Sequence, residues 1–321
     1  MSKKVCILGE GAFGTAFATL LANNGIIVNL WCHEAEVTRT IQSNKINEKY
    51  FPNFVLSSNI RATADISEAV KDADFIFEAI PVKYLRSVIK LAKPFVKKEQ
   101  IWITLSKGIE HDTLFFPTQI VDDVLEFTAK KAVISGPSFA KDLINQQLTV
   151  VNLATQDEQT FQSLSQVLQN NYFKTYFIND IIGIQVCGAL KNVISLAIGM
   201  AEGAGYSDNT KGYLVTVGLN EMAQLTQFLG GKPETVYNFC GVGDLVISSF
   251  GNSGRNFLVG KAIGSGKKLQ DILNETNLIP EGVNTAESVY QLIKQKNLDL
   301  PLCNGVYQVI FENKKFSEIL L

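Results

Sequence analysis

This 321-residue sequence has few histidines and no closely spaced pair of cysteines. The two histidines are His33 and His111, and the five cysteines are widely spaced with no C-x-x-C pair. A disulfide framework and a zinc site are therefore not expected, and no metal is predicted. The thiols are instead expected to be reduced and buried. A G-x-S-x-G motif is also absent, which argues against the nucleophile elbow of a hydrolase.

An excess of basic charge is missing as well, because 29 Lys and Arg residues stand against 31 Asp and Glu residues. Nucleic-acid-binding proteins usually carry a basic excess, so no nucleic-acid partner is expected. The apolar stretch that starts at Val5 is cut by glycines too early to be a signal peptide. A second apolar stretch, 181–201, contains Gln185, Lys191 and Asn192. The positive charge of Lys191 would be costly in lipid. We therefore expect a soluble cytoplasmic protein with no membrane insertion.

Short apolar segments alternate with helical segments through the first half of the chain. Such alternation is typical of a mostly parallel sheet covered by helices on both faces, and it predicts an α/β domain at 1–178. Strands are predicted at 5–8, 26–31, 74–80, 101–105, 132–135, 150–154 and 172–178, and helices at 15–24, 66–71, 85–92 and 157–168.

The character of the sequence changes near Asn179. From there the chain is predicted to form long helices, and strand patterns are nearly absent. We therefore predict an all-α domain at 179–321. Its helices are expected at 181–202, 212–229, 253–264, 285–296 and 305–312.

The hexapeptide Gly9-Glu10-Gly11-Ala12-Phe13-Gly14 fits G-x-G-x-x-G and lies between the first predicted strand and the first predicted helix. In that context Gly9 permits the tight turn, Gly11 lets the backbone approach a pyrophosphate, and Gly14 allows close helix–strand packing. The helix N-terminus offers free N–H groups and a positive dipole end to phosphates. The first domain is therefore predicted to be a Rossmann-type dinucleotide-binding domain. A glycine-rich turn without a ligand is the alternative.

A second glycine-rich segment, 260–268, superficially resembles a phosphate-binding P-loop. The required Gly-Lys-Ser/Thr is Gly266-Lys267-Lys268 here, the earlier glycine is one place off, and no strand precedes it. The segment therefore fails the P-loop pattern.

The end of the second predicted strand bears on which dinucleotide binds. An acid there would bind the ribose 2′-hydroxyl of NAD, but the strand ends Trp31-Cys32-His33, and Glu34 comes one or two places too late. His33 and Arg39 could face a 2′-phosphate instead, which slightly favours NADPH. His33 could equally be a solvated loop residue.

Lys191 is the candidate acid–base residue, because it lies in an apolar helical segment, 186–194. Burial disfavours the ammonium form and lowers the pKa of a lysine. Such a lysine can accept the proton of an alcohol as hydride leaves, and can return it in the reverse reaction. A lysine that reaches solvent from the helix edge is an equally good interpretation of the pattern alone.

Seven motifs, in order along nearly the whole chain, resemble those of bacterial NAD(P)-dependent sn-glycerol-3-phosphate dehydrogenase. Their order makes the resemblance specific, although each motif alone is weak. They are Gly9–Ala16 (family GxGxWGTA), Ser106–Glu110 ((T/S)KG(L/I)E), Ser135–Ala140 (SGPSFA), Gly188–Val193 (GALKNV), Ser207–Lys211 (GDNT(R/K)), Gly241–Leu245 (GxGDL) and Pro280–Gly282 (xEG).

The resemblance implies the NAD(P)H-dependent reduction of dihydroxyacetone phosphate to sn-glycerol 3-phosphate, which supplies phospholipid synthesis. It implies Lys191 as the proton acceptor in an all-helical substrate domain. We also expect a homodimer with a small phosphorylated substrate as its partner. The implied substrate residues are Lys107, Gly136, Ser138, Lys191, Asn192, Asp244, Arg255 and Asn256, and the implied cofactor residues are Gly9, Gly11, Ala12, Phe13, Gly14, His33, Lys107, Ala140, Arg255, Ile279 and Glu281.

Three departures from the family pattern concern single residues. Gly254 stands where the family usually has Ser, so a hydroxyl that would contact the substrate is missing unless Ser253 replaces it. Phe13 replaces the usual Trp. Glu78 lies in a predicted strand that is usually wholly apolar.

Two other functions remain as alternatives. One is another two-domain hydroxyacid or hydroxyacyl dehydrogenase, although no histidine after His111 could form the His–Glu pair of most hydroxyacyl enzymes. The other is a non-catalytic protein that senses a dinucleotide. Such a sensor would not need Lys191, Asn192 and Asp244 together with Arg255.

Overall fold

The computed structural model describes residues 3–251, 254–276 and 280–320. The chain forms two compact units. The first contains residues 1–106, 117–134 and 138–181, and the second contains 107–116, 135–137 and 182–321. The short segments 107–116 and 135–137 thus pack with the second unit, although they follow strands of the first. The domain boundary predicted at residue 178 stays a prediction.

The first unit is built on an eight-stranded sheet with the order β3-β2-β1-β4-β5-β6-β7-β8. Strand β1 pairs in parallel with both β2 and β4, and the pairs β2–β3, β4–β5, β5–β6 and β7–β8 are also parallel. The strands are β1 (Val5–Leu8), β2 (Val28–Trp31), β3 (Ile60–Thr63), β4 (Phe75–Glu78), β5 (Ile101–Thr104), β6 (Lys130–Ser135), β7 (Thr149–Thr155) and β8 (Phe173–Ile178).

Helices connect these strands, and they then make up the second unit. In the first part of the chain they are α1 (Ala12–Asn23), α2 (Ala35–Asn44), α3 (Ile66–Val70), α4 (Val82–Ala92), α5 (Pro117–Leu125), α6 (Ala140–Ile144) and α7 (Glu158–Leu168). In the second part of the chain they are α8 (Ile181–Gly203), α9 (Asp208–Phe228), α10 (Asp244–Ser249), α11 (Arg255–Gly264), α12 (Leu269–Thr276), α13 (Glu281–Lys296) and α14 (Pro301–Phe311). The predicted fold class, a Rossmann-type mostly parallel sheet followed by helices, is confirmed.

The core of the first unit forms around the aromatic side chain of Phe17 on α1. Its ring lies 5.3 Å from that of Phe77 in β4 and 6.0 Å, edge to face, from that of Phe173 in β8. All three side chains are fully buried. Edge-to-face and tilted aromatic pairs are favourable beyond the apolar area that they bury. Helix α1 is thereby fixed on the sheet, with its N-terminus at the carboxyl end of β1.

Helix α8 is the one described helix that is long and apolar enough to cross a membrane, but 89% of its apolar window is buried inside the protein. It packs closely on α11, because both helices carry glycines four residues apart. A Cβ atom on Gly199 or Gly203 would lie 2.1 or 2.0 Å from a carbonyl oxygen of α11, and one on Gly260 or Gly264 would lie 2.1 Å from a carbonyl oxygen of α8. Gly260 and Gly264, which resembled part of a P-loop, therefore serve helix packing.

Glu78 is fully buried at the end of β4, in register between Leu8 of β1 and Thr104 of β5. The Ser106 hydroxyl oxygen hydrogen-bonds with both the Glu78 carboxyl group and the carbonyl oxygen of Ile80. One hydroxyl hydrogen serves only one acceptor, so a protonated Glu78 that donates to Ser106 satisfies both bonds. Burial raises the pKa of Glu78 to about 8, against the lowering effect of its hydrogen bonds. The side chain is therefore a neutral acid at pH 7.

A Gly260→Ala variant tests the close packing of α8 on α11. We expect the free energy of unfolding to fall by about 1–3 kcal/mol, because the added methyl group forces the helices apart. Gly212→Ala is the matched control, since Gly212 is exposed in α9 and a Cβ there would meet nothing within 4 Å. That control should gain about 0.5–1 kcal/mol from helix propensity. Equal effects of the two substitutions in urea denaturation would contradict the packing account.

A Glu78→Gln variant tests the neutral acid in the sheet. Because the pKa of Glu78 is raised in the folded state, its contribution to stability is complete below the unfolded pKa near 4.5 and is lost as pH rises through about 8. The wild type should therefore lose about 1.4 kcal/mol per pH unit relative to the variant across that window. Denaturation of both proteins from pH 5 to pH 8 measures the difference. Parallel stability curves would refute the assignment.

Candidate active site

The glycine loop of the first unit has the geometry that a dinucleotide pyrophosphate needs. Gly9 has a φ of +110°, and a Cβ there would lie 2.8 Å from the carbonyl oxygen of Ala79. A Cβ on Gly14 would lie 2.0 Å from the carbonyl oxygen of Gly9, so the helix starts against the turn. A Cβ on Gly11 would meet nothing within 4 Å. The space over Gly11 is therefore open, at the N-terminus of α1, where no side chain caps the helix.

Two further predicted cofactor residues, Ala12 and Phe13, open helix α1 and are half-buried. The Phe13 ring lies 5.9 Å from that of Phe17, so the residue that replaces the usual Trp joins the aromatic core. His33 is exposed just after β2, with its ring 6.1 Å from that of Trp31. The structure thus brings the loop residues together, and His33 is an exposed residue just after the neighbouring strand β2.

In the second unit two lysines share one buried carboxylate. The Lys191 ammonium on α8 donates to Oδ1 of Asp244 at 2.7 Å, and the Lys107 ammonium donates to Oδ2 at 2.6 Å. Asp244 is 1% exposed and opens α10, and Lys191 is 8% exposed. Lys107 also lies 3.4 Å from the carbonyl oxygen of Gly136. Residues from three separate predicted motifs therefore meet at one carboxylate.

The electrostatics of this cluster favour a lysine that can exchange a proton near neutral pH. Burial lowers the pKa of Lys191, Asp244 opposes that shift, and the positive charges of Lys107 and Arg255 add to it, so the pKa falls to about 8. Burial raises the pKa of Asp244, but the charges and hydrogen bonds of the two lysines outweigh it, and the net pKa is lowered. Asp244 is therefore ionised, and two cations face one anion.

Two serines support Lys191, and neither was predicted from the sequence. The Lys191 ammonium donates to Oγ of Ser248 at 2.9 Å, and the Ser195 hydroxyl donates to the carbonyl oxygen of Ser248 at 2.7 Å. Asp244 and Ser248 are four residues apart on α10, so both face Lys191. That spacing, Asp-x-x-x-Ser after the GxGDL motif, was the signal available in the sequence.

A chain of amides lies near the lysines, on α8, α11 and α13. Asn256 donates from Nδ2 to Oδ1 of Asn192 at 2.9 Å, and the backbone N–H of Gly282 donates to Oδ1 of Asn256 at 3.0 Å. A Cβ on Gly282 would lie 2.6 Å from Asn256 Oδ1, so only glycine permits this approach. Two predicted substrate residues are thus held in a fixed orientation by the start of α13.

The remaining predicted residues fall in several places. Gly136 belongs to the second unit, whereas Ser138 and Ala140 belong to the first, where Ala140 packs against the core. Arg255 is exposed at the first turn of α11, and Glu281 is half-buried at the first turn of α13. Ile279 and Ser253, which was considered as a substitute for the usual hydroxyl, lie outside the described residues.

Known proteins resemble this chain over its full length. Family models for the N-terminus and the C-terminus of NAD-dependent glycerol-3-phosphate dehydrogenase match residues 4–161 and 180–321. A glycerol-3-phosphate dehydrogenase (NAD(P)+) of Bacillus subtilis (strain 168) is 39% identical over 98% of this chain and 91% of its own length. One from Staphylococcus haemolyticus (strain JCSC1435) is 36% identical over 98% and 96%.

A solved structure gives the same result. The crystal structure of glycerol-3-phosphate dehydrogenase from Coxiella burnetii has a TM-score of 0.94 to this chain at 29% identity, and the match covers 99% of this chain and 98% of that one. Both halves of the chain and its fold therefore agree, and the chain belongs to the NAD-dependent glycerol-3-phosphate dehydrogenase family.

Proposed function

We propose that this enzyme reduces dihydroxyacetone phosphate to sn-glycerol 3-phosphate with NAD(P)H, and that Lys191 exchanges the proton. The activity is that of the family. The observation that carries the assignment of Lys191 is its buried ammonium, which shares the Asp244 carboxylate with Lys107. No other described residue combines burial in the second unit with a pKa lowered to about 8.

The dinucleotide, NADP or NAD, fits the loop of the first unit because Gly11 leaves room for a pyrophosphate. When bound, it supplies the hydride that adds to the carbonyl carbon of the substrate. The chain contributes the backbone N–H groups at the start of α1 and their positive dipole end. These groups would bind the phosphates and position the nucleotide on the loop.

Lys191 supplies the proton that the carbonyl oxygen needs as that oxygen becomes an alkoxide. With a pKa of about 8, the lysine is mostly protonated at neutral pH and yet gives up its proton readily. Asp244 and Ser248 hold the ammonium by two hydrogen bonds, so its third N–H is left for a substrate oxygen. In the reverse reaction, the neutral amine accepts the proton of the alcohol.

The neighbours of Lys191 have distinct proposed roles in binding the substrate. Lys107 stabilises negative charge as it develops on the carbonyl oxygen. Arg255 offers a guanidinium fork to the phosphate dianion, aided by the amides of Asn192 and Asn256. Gly254 cannot provide the hydroxyl that the family usually places beside that arginine.

The wider setting is also part of the proposal. We propose that the enzyme supplies glycerophospholipid synthesis, acts in the cytoplasm and forms a homodimer. The support is the family to which the chain belongs and the burial of its long apolar helix α8. Gel filtration with light scattering tests the dimer directly.

A Lys191→Met variant tests the proton transfer. The methionine retains much of the apolar stem, so we expect turnover of dihydroxyacetone phosphate to fall by about 10²- to 10⁴-fold while NADH and NADPH still bind. Steady-state kinetics and fluorescence titration measure the two effects separately. Near-wild-type turnover in this variant would end the assignment of Lys191.

An Arg255→Ala variant tests recognition of the phosphate. We expect KM for dihydroxyacetone phosphate to rise by about 100-fold with a smaller change in kcat, because the lost hydrogen bonds are made in both ground and transition states. Lys261→Ala is the control, since it removes a positive charge from the same helix, where Lys261 pairs with Glu202. A wild type that reduced unphosphorylated dihydroxyacetone equally well would contradict the substrate assignment.

A further inference from the structure

The position that selects between NAD and NADP in this fold carries no acid in the usual place. Strand β2 ends at Trp31, and the next residues are the buried Cys32 and the exposed His33. Dinucleotide-binding domains of this type read the adenosine ribose at this edge, by an acid for a 2′-hydroxyl or by a cation for a 2′-phosphate. The residues that surround this edge therefore decide the cofactor.

Glu10, inside the glycine loop, places a carboxylate at this edge. It is 6% exposed, and its Oε1 accepts the backbone N–H of Glu34 at 2.9 Å. Its carbonyl oxygen is held by the Thr15 hydroxyl at 2.8 Å and by the Asn47 amide at 2.9 Å. The backbone of Glu10 is thus held by residues of α1 and of the segment after α2, and its side chain is held by the residue before α2.

The contact with Glu34 has a direct consequence for a 2′-phosphate. Backbone N–H groups at the start of a helix are natural partners for a phosphate dianion. Here the N–H of Glu34, the residue that precedes α2, already donates to a carboxylate. That carboxylate also has the same charge sign as the phosphate, so a 2′-phosphate at this edge would lose a donor and gain a repulsion.

Two cations that follow β2 in the chain are each paired with an acid. Arg39 forms an ion pair with Glu36, and Lys49 forms one with Glu34. Both pairs lie in the first unit and follow β2 in the chain. The positive charges of Arg39 and Lys49 are therefore offset by acids, whereas a ribose 2′-hydroxyl needs no positive charge.

We infer that Glu10 is a specificity-determining residue that makes this enzyme prefer NADH over NADPH. The carboxylate of the glycine loop takes over the role of the acid that is missing at the end of β2. The Glu10 carboxylate accepts a hydrogen bond from the 2′-hydroxyl of NADH, and it repels the 2′-phosphate of NADPH. The inference rests on the proposed function only in that the chain binds a nicotinamide dinucleotide, and it opposes the slight preference for NADPH expected from His33 and Arg39.

Dinucleotide binding without substrate tests the inference. Dissociation constants for NADH and NADPH are measured by fluorescence titration of the full-length wild type, Glu10→Gln and Glu10→Ala. We expect the wild type to bind NADH more tightly, and both variants to shift the ratio of the two constants toward NADPH by about tenfold or more. The Gln variant removes the charge and keeps an acceptor for Glu34, whereas the Ala variant removes both. Thermal melting confirms that each variant is folded.

One control variant and one further test variant show where the effect arises. Glu48→Gln removes the same charge from an exposed acid whose carboxylate accepts a hydrogen bond from Asn44, and it should leave the ratio unchanged. Glu34→Gln breaks the pair with Lys49 and should raise NADPH affinity, because Lys49 is released. A wild type that prefers NADPH, or a ratio that Glu10 substitutions do not change, would overturn the inference. If such a protein still reduces dihydroxyacetone phosphate, the proposed function stands without it, whereas a wild type that binds neither dinucleotide refutes both.

Discussion

The proposed chemistry of this enzyme depends on one buried carboxylate that lies between two lysines. Asp244 is 1% exposed, and a lone ion in such a place would be strongly destabilising. The ammonium groups of Lys107 and Lys191 offset that cost, and in return the carboxylate orients both of them. Since two positive charges face one negative charge, the cluster retains a positive charge for a substrate oxygen. The low pKa of Lys191 follows from the same arrangement, because burial and the second lysine both disfavour its ammonium form.

Close backbone packing surrounds the helix that carries Lys191. The helix that carries Lys191 approaches α11 through four glycines, and a Cβ on Gly188 of the same helix would lie 3.3 Å from Cγ of Lys107. Glycine therefore acts in this protein in two ways. In the loop 9–14 it leaves backbone N–H groups open to a ligand, and in α8 and α11 it lets helices meet without side chains between them. A pattern of glycines alone does not distinguish the two uses, whereas a preceding strand does.

Much of the fold and part of the site could be predicted from the sequence. Strand Val5–Leu8 was predicted at its observed bounds, and the start of α8 was predicted at Ile181, because apolar runs and helical periodicity are local signals. Strand β3 was missed because Arg61 interrupts its apolar pattern, and α2 because its residues are mostly polar. Ser248 beside Lys191, and Glu10 as the proposed specificity residue, were also not predicted. Their roles depend on which distant backbone or ammonium group lies beside them, and that is a property of the packed molecule.

The most direct test of the central claim is the pH dependence of the reaction in both directions. In the proposed mechanism, reduction of dihydroxyacetone phosphate needs the ammonium form of Lys191, and oxidation of glycerol 3-phosphate needs the amine. The account predicts that kcat/KM for reduction falls, and that for oxidation rises, as pH increases through about 8. A common midpoint with opposite slopes would support Lys191 in its cluster with Asp244. Profiles that stay flat between pH 7 and pH 9, or that change in the same direction, would contradict it.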